Sequence, residues 1–278
     1  MQALQLPISL MLFALVIVVG VSFAVFLCFF TLIRRVLLLA AILRDTMRLS
    51  AEPELHLFDP SVPGLPQEVS QYFEKVAQAL TPFGFEIRTG CAVSEHGHRT
   101  KTLSLLLVNQ RNKDVASAYA MYRKNGDRVV LKQTFTELRT AFKEGMVMTT
   151  TNSRHLNSFP LPSALRRMSF PMIDDVRRLH RLHQARVARD ADQRVAILAL
   201  DDEFRGDVRM QAYRSRAELL EFLGKIGRFR KFPDEPVYFP TWKGAILMAV
   251  SSVQPIAAIR RRRRDRKAWK LIRDLEGQ

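Results

Sequence analysis

The histidines offer the first candidate chemistry. The stretch EHGH places His96 and His98 beside Glu95, and HRLH places His180 and His183 three residues apart. Either spacing could give zinc two nitrogen ligands, with His155 joining from a loop. The surroundings argue for plainer roles. The first pair falls in a polar stretch expected to form a hairpin turn. The second borders an apolar stripe of Val176, Leu179 and Val187, where a partly buried imidazole is ordinary. No HExxH or CxxC motif accompanies either pair, so no metal site and no cofactor is expected.

Carboxylates occur together as Asp174-Asp175 and as Asp201-Asp202-Glu203. Each group stands near an expected helix start, where acids offset the helix dipole. Adjacent residues on a helix do not face one another, so general acid–base work is not expected of them. Phosphate-cradling motifs (GxGxxG, GxxxxGKS) and the nucleophile motif GxSxG are missing. The hydroxyl-rich run TTTNS, Thr149 to Ser153, reads as a strand leading into a turn. The two cysteines, Cys28 and Cys91, make no disulfide framework and no zinc site. No catalytic residue is assigned, and the sequence points away from an enzyme.

What remains is charge. The net charge is +16, and by segment it is about +3 over residues 1–50, about +1 over 51–150, about +5 over 151–235 and about +7 over 236–278. The excess culminates in the run Arg260, Arg261, Arg262, Arg263, Arg264. At 100° per residue, five successive arginines encircle a helix and make a collar. A nucleic-acid reader would interleave aromatics or belong to a recognisable module, so nucleic acid is not the expected partner. Anionic phospholipid is.

The elements that position this charge begin with an apolar helix. Residues 1–33 carry no charged side chain, and 7–33 would form roughly 40 Å of helix against a hydrocarbon core of about 30 Å. A charged n-region and a short h-region, the marks of a cleaved signal peptide, are missing. Arg34, Arg35, Arg44 and Arg48 follow at once, which by the positive-inside rule puts the rest of the chain in the cytoplasm. The run VLLLAAIL (36–43) reads as the same helix continuing along the headgroups.

Four prolines between 50 and 66 suggest a linker. Val69, Tyr72, Phe73, Val76 and Leu80 then fall on one helical face. Five strand-like runs follow between residues 85 and 153, separated by short polar breaks that permit only antiparallel pairing of neighbours. Asn125-Gly126 is the strongest hairpin signal among those breaks. Residues 154–171 read as a loop, 172–190 as a basic amphipathic helix, and 202–229 as mostly helical.

Near the C-terminus, 244–259 is uncharged, with Trp242 and Lys243 as interfacial residues before it. Its sixteen residues make about 24 Å of helix, short of a full span. If it crossed, one arginine cluster would lie outside the cytoplasm, so an interfacial or re-entrant course is expected.

The expected protein is α+β. It has an anchor and juxtamembrane helix (1–48), a linker (49–66), a soluble domain with a helix and an antiparallel meander of about five strands (67–235), and an interfacial segment with a basic helix (236–278). The function expected is that of a single-pass, bacterial-type inner-membrane protein whose non-catalytic cytoplasmic domain binds a protein partner or anionic lipid. The lipid contacts fall to Arg34, Arg35, Trp242, Lys243 and Arg260 to Arg264. Two alternatives stay open: a membrane-associated enzyme, and nucleic-acid binding by the basic C-terminal half.

Overall fold

The uncharged N-terminal stretch continues without a break into one helix, α1 (Ile8–Thr46), of 39 residues. It is long and apolar enough to cross a membrane. Phe13, Val16, Phe23, Phe26 and Phe30 are exposed along it, so the domain does not cover it. The computed structural model describes residues 8–60, 65–94, 100–125, 128–155, 159–191 and 193–277.

The stretch expected to be a linker carries two strands, β1 (Leu49–Ser50) and β2 (Glu54–Phe58). Helix α2 (Gln67–Leu80) buries Val69, Phe73, Val76 and Leu80, the face its periodicity indicated. A 3-10 turn at Thr81–Phe83 closes it, and Gly84, at φ +84°, supplies the left-handed residue that turns the chain into the sheet. Five antiparallel strands follow: β3 (Glu86–Ser94), β4 (Thr100–Asn109), β5 (Asp114–Asn125), β6 (Arg128–Phe142) and β7 (Val147–Thr151). Asn125 pairs with Arg128, so the strongest turn signal does close a hairpin; Gly126 itself lies outside the described residues.

The expected loop after β7 contains a further strand, β8 (Leu165–Ser169), which pairs parallel to β7. The connection from Thr151 to Leu165 is long enough for the crossover that parallel pairing needs. Helix α3 (Val176–Asp190) comes next, with Asp175 capping it by accepting from the Arg177 amide at 2.9 Å. The short β9 (Ala196–Ile197) pairs with the far end of β6, and α4 (Ala199–Asp202) and α5 (Val208–Lys225) follow. The chain then forms β10 (Phe229–Lys231) and β11 (Val237–Pro240), which join β1 in a small second sheet of order β1-β11-β10. Helices α6 (Trp242–Ser252) and α7 (Ile256–Glu276) complete it.

The main sheet has the order β2-β3-β4-β5-β6-β7-β8, and the fold is α+β. On one face Leu103, Leu105, Leu107, Ala116, Ala118 and Leu138 meet α2 and α3. Helix α7 enters the same core through Ala268 and Ile272, 0% and 2% exposed, so the C-terminal segment packs as part of the domain. The opposite face is covered at one end by α4 and the start of α5, through Leu198, Leu200 and Val208. Truncating Ile272 to Ala should therefore cost about 2–5 kcal/mol of domain stability, read by urea unfolding of the full chain in nanodiscs. A surface-lying tail would show no change.

Candidate functional site

The structure disperses the histidines. His96 and His98 lie outside the described residues. His155 is exposed, and its pKa is lowered by partial desolvation and then by Arg167. His180 is buried between Phe83 and Phe85, ring centroids 4.5 and 5.4 Å away, and neither ring nitrogen finds a hydrogen-bond partner among the described residues. Desolvation is the largest cause lowering its pKa, with Asp114 opposing. His183, fully buried, bonds Thr140 Oγ1 at 2.9 Å and Thr150 Oγ1 at 2.8 Å. Thr140 in turn donates to Asp114 at 2.5 Å, and Arg186 donates to Thr150 at 2.6 Å. This polar chain pins α3 to β6 and β7. Burial drops the Arg186 pKa to about 10. Among the described residues no three His, Cys, Asp or Glu side chains gather as a metal site.

The carboxylates have structural tasks too. Asp175 caps α3, Asp202 accepts from the Leu198 amide at 2.9 Å, and Asp201 accepts from Gln110 at 2.7 Å. In TTTNS, Thr151 donates to the Thr136 carbonyl at 2.9 Å and Asn152 accepts from the Thr136 amide at 2.7 Å.

The charged residues assigned to the membrane surface are organised by α6. Thr241 caps this helix, accepting from the Gly244 amide at 3.1 Å. Gly244 lies so near β10 that a Cβ there would stand 2.0 Å from the Arg228 carbonyl oxygen. The Arg44 guanidinium lies over Trp242, 4.6 Å from the ring centroid, and Ala245 and Ala249 are sealed against Ala40, each 0% exposed. Trp242 thus meets the end of α1 and the alanines meet an earlier turn, so α6 climbs back along α1. By helix rise, its end at Ser252 comes level with about residue 35 of α1. Arg34 and Arg35 are exposed there, as Trp242 and Lys243 are at the start of α6.

Helix α7 leaves α6 with a bend of 76° and so turns away from the direction in which α6 runs along α1. Its two sides differ. Ala257, Ala268 and Ile272 face inward, and Arg264 joins them, donating to the Arg154 carbonyl at 2.8 Å and to Asp265 at 2.9 Å. At 100° per residue, Ile259, Arg262, Arg263, Arg266, Trp269, Lys270 and Arg273 share the opposite side, and all are exposed. Arg260 is half-buried, and Arg261 is exposed on the side that carries Ala257.

The five arginines are therefore not equivalent. Arg262 and Arg263 belong to a one-sided cationic strip that also takes in Arg266, Lys270 and Arg273. These three were not singled out in the sequence. A helical wheel over 256–276 separates them only once Ala257, Ala268 and Ile272 are known to face inward. No family model, no curated protein and no solved structure matches this chain.

His180 makes one pH-dependent prediction. Its folded pKa lies below the ordinary 6.5, so under that pH the unfolded chain takes up a proton that the native state refuses. Stability should fall as pH drops from neutral through that range. Replacing His180 with Leu should flatten the fall, measured by urea unfolding at neutral and mildly acidic pH. An identical slope in both proteins would contradict this.

Proposed function

We propose that this chain is a single-pass, membrane-anchored, non-catalytic module whose domain is held against the anionic cytoplasmic leaflet of a bacterial inner membrane. The observation that carries the reading is α7: one side enters the domain core, and the other presents cations with Trp269 and Ile259, 49% and 47% exposed. Trp and Arg or Lys are the side chains that settle at the headgroup level of a bilayer.

Position supports the same reading. Helix α6 returns α7 to the level of Arg34 and Arg35, where the span leaves the bilayer. A helix crosswise to the span at that level lies along the membrane plane. Arg262, Arg263, Arg266, Lys270 and Arg273 near an anionic leaflet contribute roughly 5 kcal/mol together, less whatever Asp274 and salt remove. The small apolar residues of α6 pack on α1 beyond Arg35, so 244–259 has no need to cross. Both basic clusters then fit one cytoplasmic side, in keeping with the positive-inside rule. The strip would attract nucleic acid as well; its place beside an apolar span favours lipid.

The test is amide hydrogen exchange over 256–276, with the full chain in zwitterionic nanodiscs and in nanodiscs containing anionic lipid. Exchange should slow severalfold with anionic lipid, and the triple variant R262E, R263E, R266E should lose that difference without losing its thermal unfolding transition. Equal exchange in the two lipids would contradict the reading.

A further inference from the structure

The face of the main sheet away from α2 carries polar and charged residues where a covered sheet would ordinarily be apolar. Register sets them side by side. Ser117 on β5 stands opposite Glu137 on β6, Arg139 on β6 stands between Val115 and Thr149, and Thr149 on β7 stands beside Arg167 on β8. Strand alternation turns all of them to the same side.

Helix α5 bridges this face without settling on it. Its first residue, Val208, packs with Leu106, Val108 and Leu200, while Leu220 and Leu223 near its other end pack on the second sheet. Between these supports the small residues Ala212 and Ser215 stand over the sheet, leaving a cavity of about 470 Å³. That lies within the range of small-molecule sites, about 300–1,000 Å³.

The charges in the cavity are unequally satisfied. Arg167 and Glu137 pair at 2.9 Å and largely cancel. Arg139, half-buried, forms no ion pair or hydrogen bond among the described residues, and its Nε is buried without an acceptor. A cation partly withdrawn from water without a partner is costly in proportion, and an incoming anion would offset that cost. Thr149 stands beside Arg139 in register, and Ser117 and Tyr119 also line the cavity. Burial, with Glu137 adding, pushes the Tyr119 phenol up to about 12, so it remains a donor at neutral pH. Burial also pushes the Cys91 thiol up to about 11, which leaves it protonated and a poor nucleophile. With Glu137 engaged and the thiol protonated, the chemistry is that of binding. Leu55, Val93, Leu106, Val115, Val147 and Leu219 give the wall an apolar part. Helix α5 adds Gln211, Arg216 and Glu218, of which Arg216 donates to the Ser50 carbonyl at 2.7 Å and Glu218 pairs with Arg214 at 3.1 Å.

We propose that the cavity between α5 and the sheet binds a small organic anion, a carboxylate or phosphate monoester with an apolar body, whose charge is held by Arg139. The anion takes the donors of Arg139 and the neighbouring hydroxyls, and the apolar body lies under Ala212 against the aliphatic wall. Glu137 tunes the site by occupying Arg167, so it weakens the field that the anion feels. The site is independent of the lipid contact on α7, which lies beyond the opposite face of the sheet.

Isothermal titration of the full chain in zwitterionic nanodiscs tests this with phenyl phosphate, phenylacetate, neutral 2-phenylacetamide and inorganic phosphate as probes. At least one aromatic anion should bind saturably, one per chain, with the amide weaker by about tenfold or more. Arg139→Gln should weaken the anion by about tenfold to a hundredfold, and Ala212→Trp, which fills the cavity, should abolish it. Glu137→Gln should tighten it by freeing Arg167, a gain that a merely structural role would not produce. Circular-dichroism melting checks that each variant is folded; should Arg139→Gln not fold, Ala212→Trp decides. No saturable binding, or binding unchanged in the folded variants, would overturn the proposal. Inorganic phosphate binding as tightly as phenyl phosphate would overturn the organic ligand.

Discussion

The arrangement of this molecule depends on one close contact, that between α6 and the C-terminal part of α1. Ala40, Ala245 and Ala249 are buried where the two helices meet, with Val36, Leu39 and Leu43 packed against them, and Gly244 lets the start of α6 press on the Arg228 carbonyl. Small residues permit such approach where larger ones hold helices apart. Everything downstream inherits the geometry. The bend after Ser252 is fixed in height by how far α6 climbs α1. The course of α7 is fixed by that bend, and Ala268 and Ile272 tie α7 into the domain core. The domain's attitude to α1 thus rests on this contact, with Arg44 over Trp242 at its other end.

The two sides of the main sheet solve different problems. Toward α2, α3 and α7 the sheet carries most of the core, and its polar layer is a chain of bonds through Asp114, Thr140, His183, Thr150 and Arg186, although Arg186 Nε finds no acceptor among the described residues. Gln184 adds a bond to the second oxygen of Asp114. Networks of this kind specify a unique packing more than they stabilise it, because desolvation offsets much of what the bonds supply. Toward α5 the polar residues are not closed off in this way. Arg139 is left over, and the helix above it is propped at both ends.

Much of the fold was legible because its core elements repeat apolar residues at a clear period. Val69, Phe73, Val76 and Leu80 gave α2, and an apolar run between polar breaks gave β4. Elements with few apolar residues were not legible. Strand β8 is Leu-Arg-Arg-Met-Ser, in which two arginines interrupt any pattern, and its parallel partner lies across a proline-containing connection. Strand β2 hides between Pro53 and Pro60. Helix α7 contributes only small or isolated apolar residues to the core, and the arginine run conceals them. The cavity was invisible for a related reason: Arg139, Glu137 and Arg167 come from strands whose adjacency only register reveals. The cationic strip of α7 was half legible, since Arg262 and Arg263 were marked while Arg266, Lys270 and Arg273 needed the inward side of α7 to be known.

The central claim is that α7 lies on the bilayer with its cationic, Trp-bearing side down. The chain has two tryptophans, so Trp242→Phe leaves Trp269 as the sole indole. Its fluorescence in nanodiscs whose lipids carry a quencher just below the headgroups measures the contact directly. The account predicts strong quenching with anionic lipid, reduced by high salt. An emission maximum typical of water and no quenching in any lipid would contradict it.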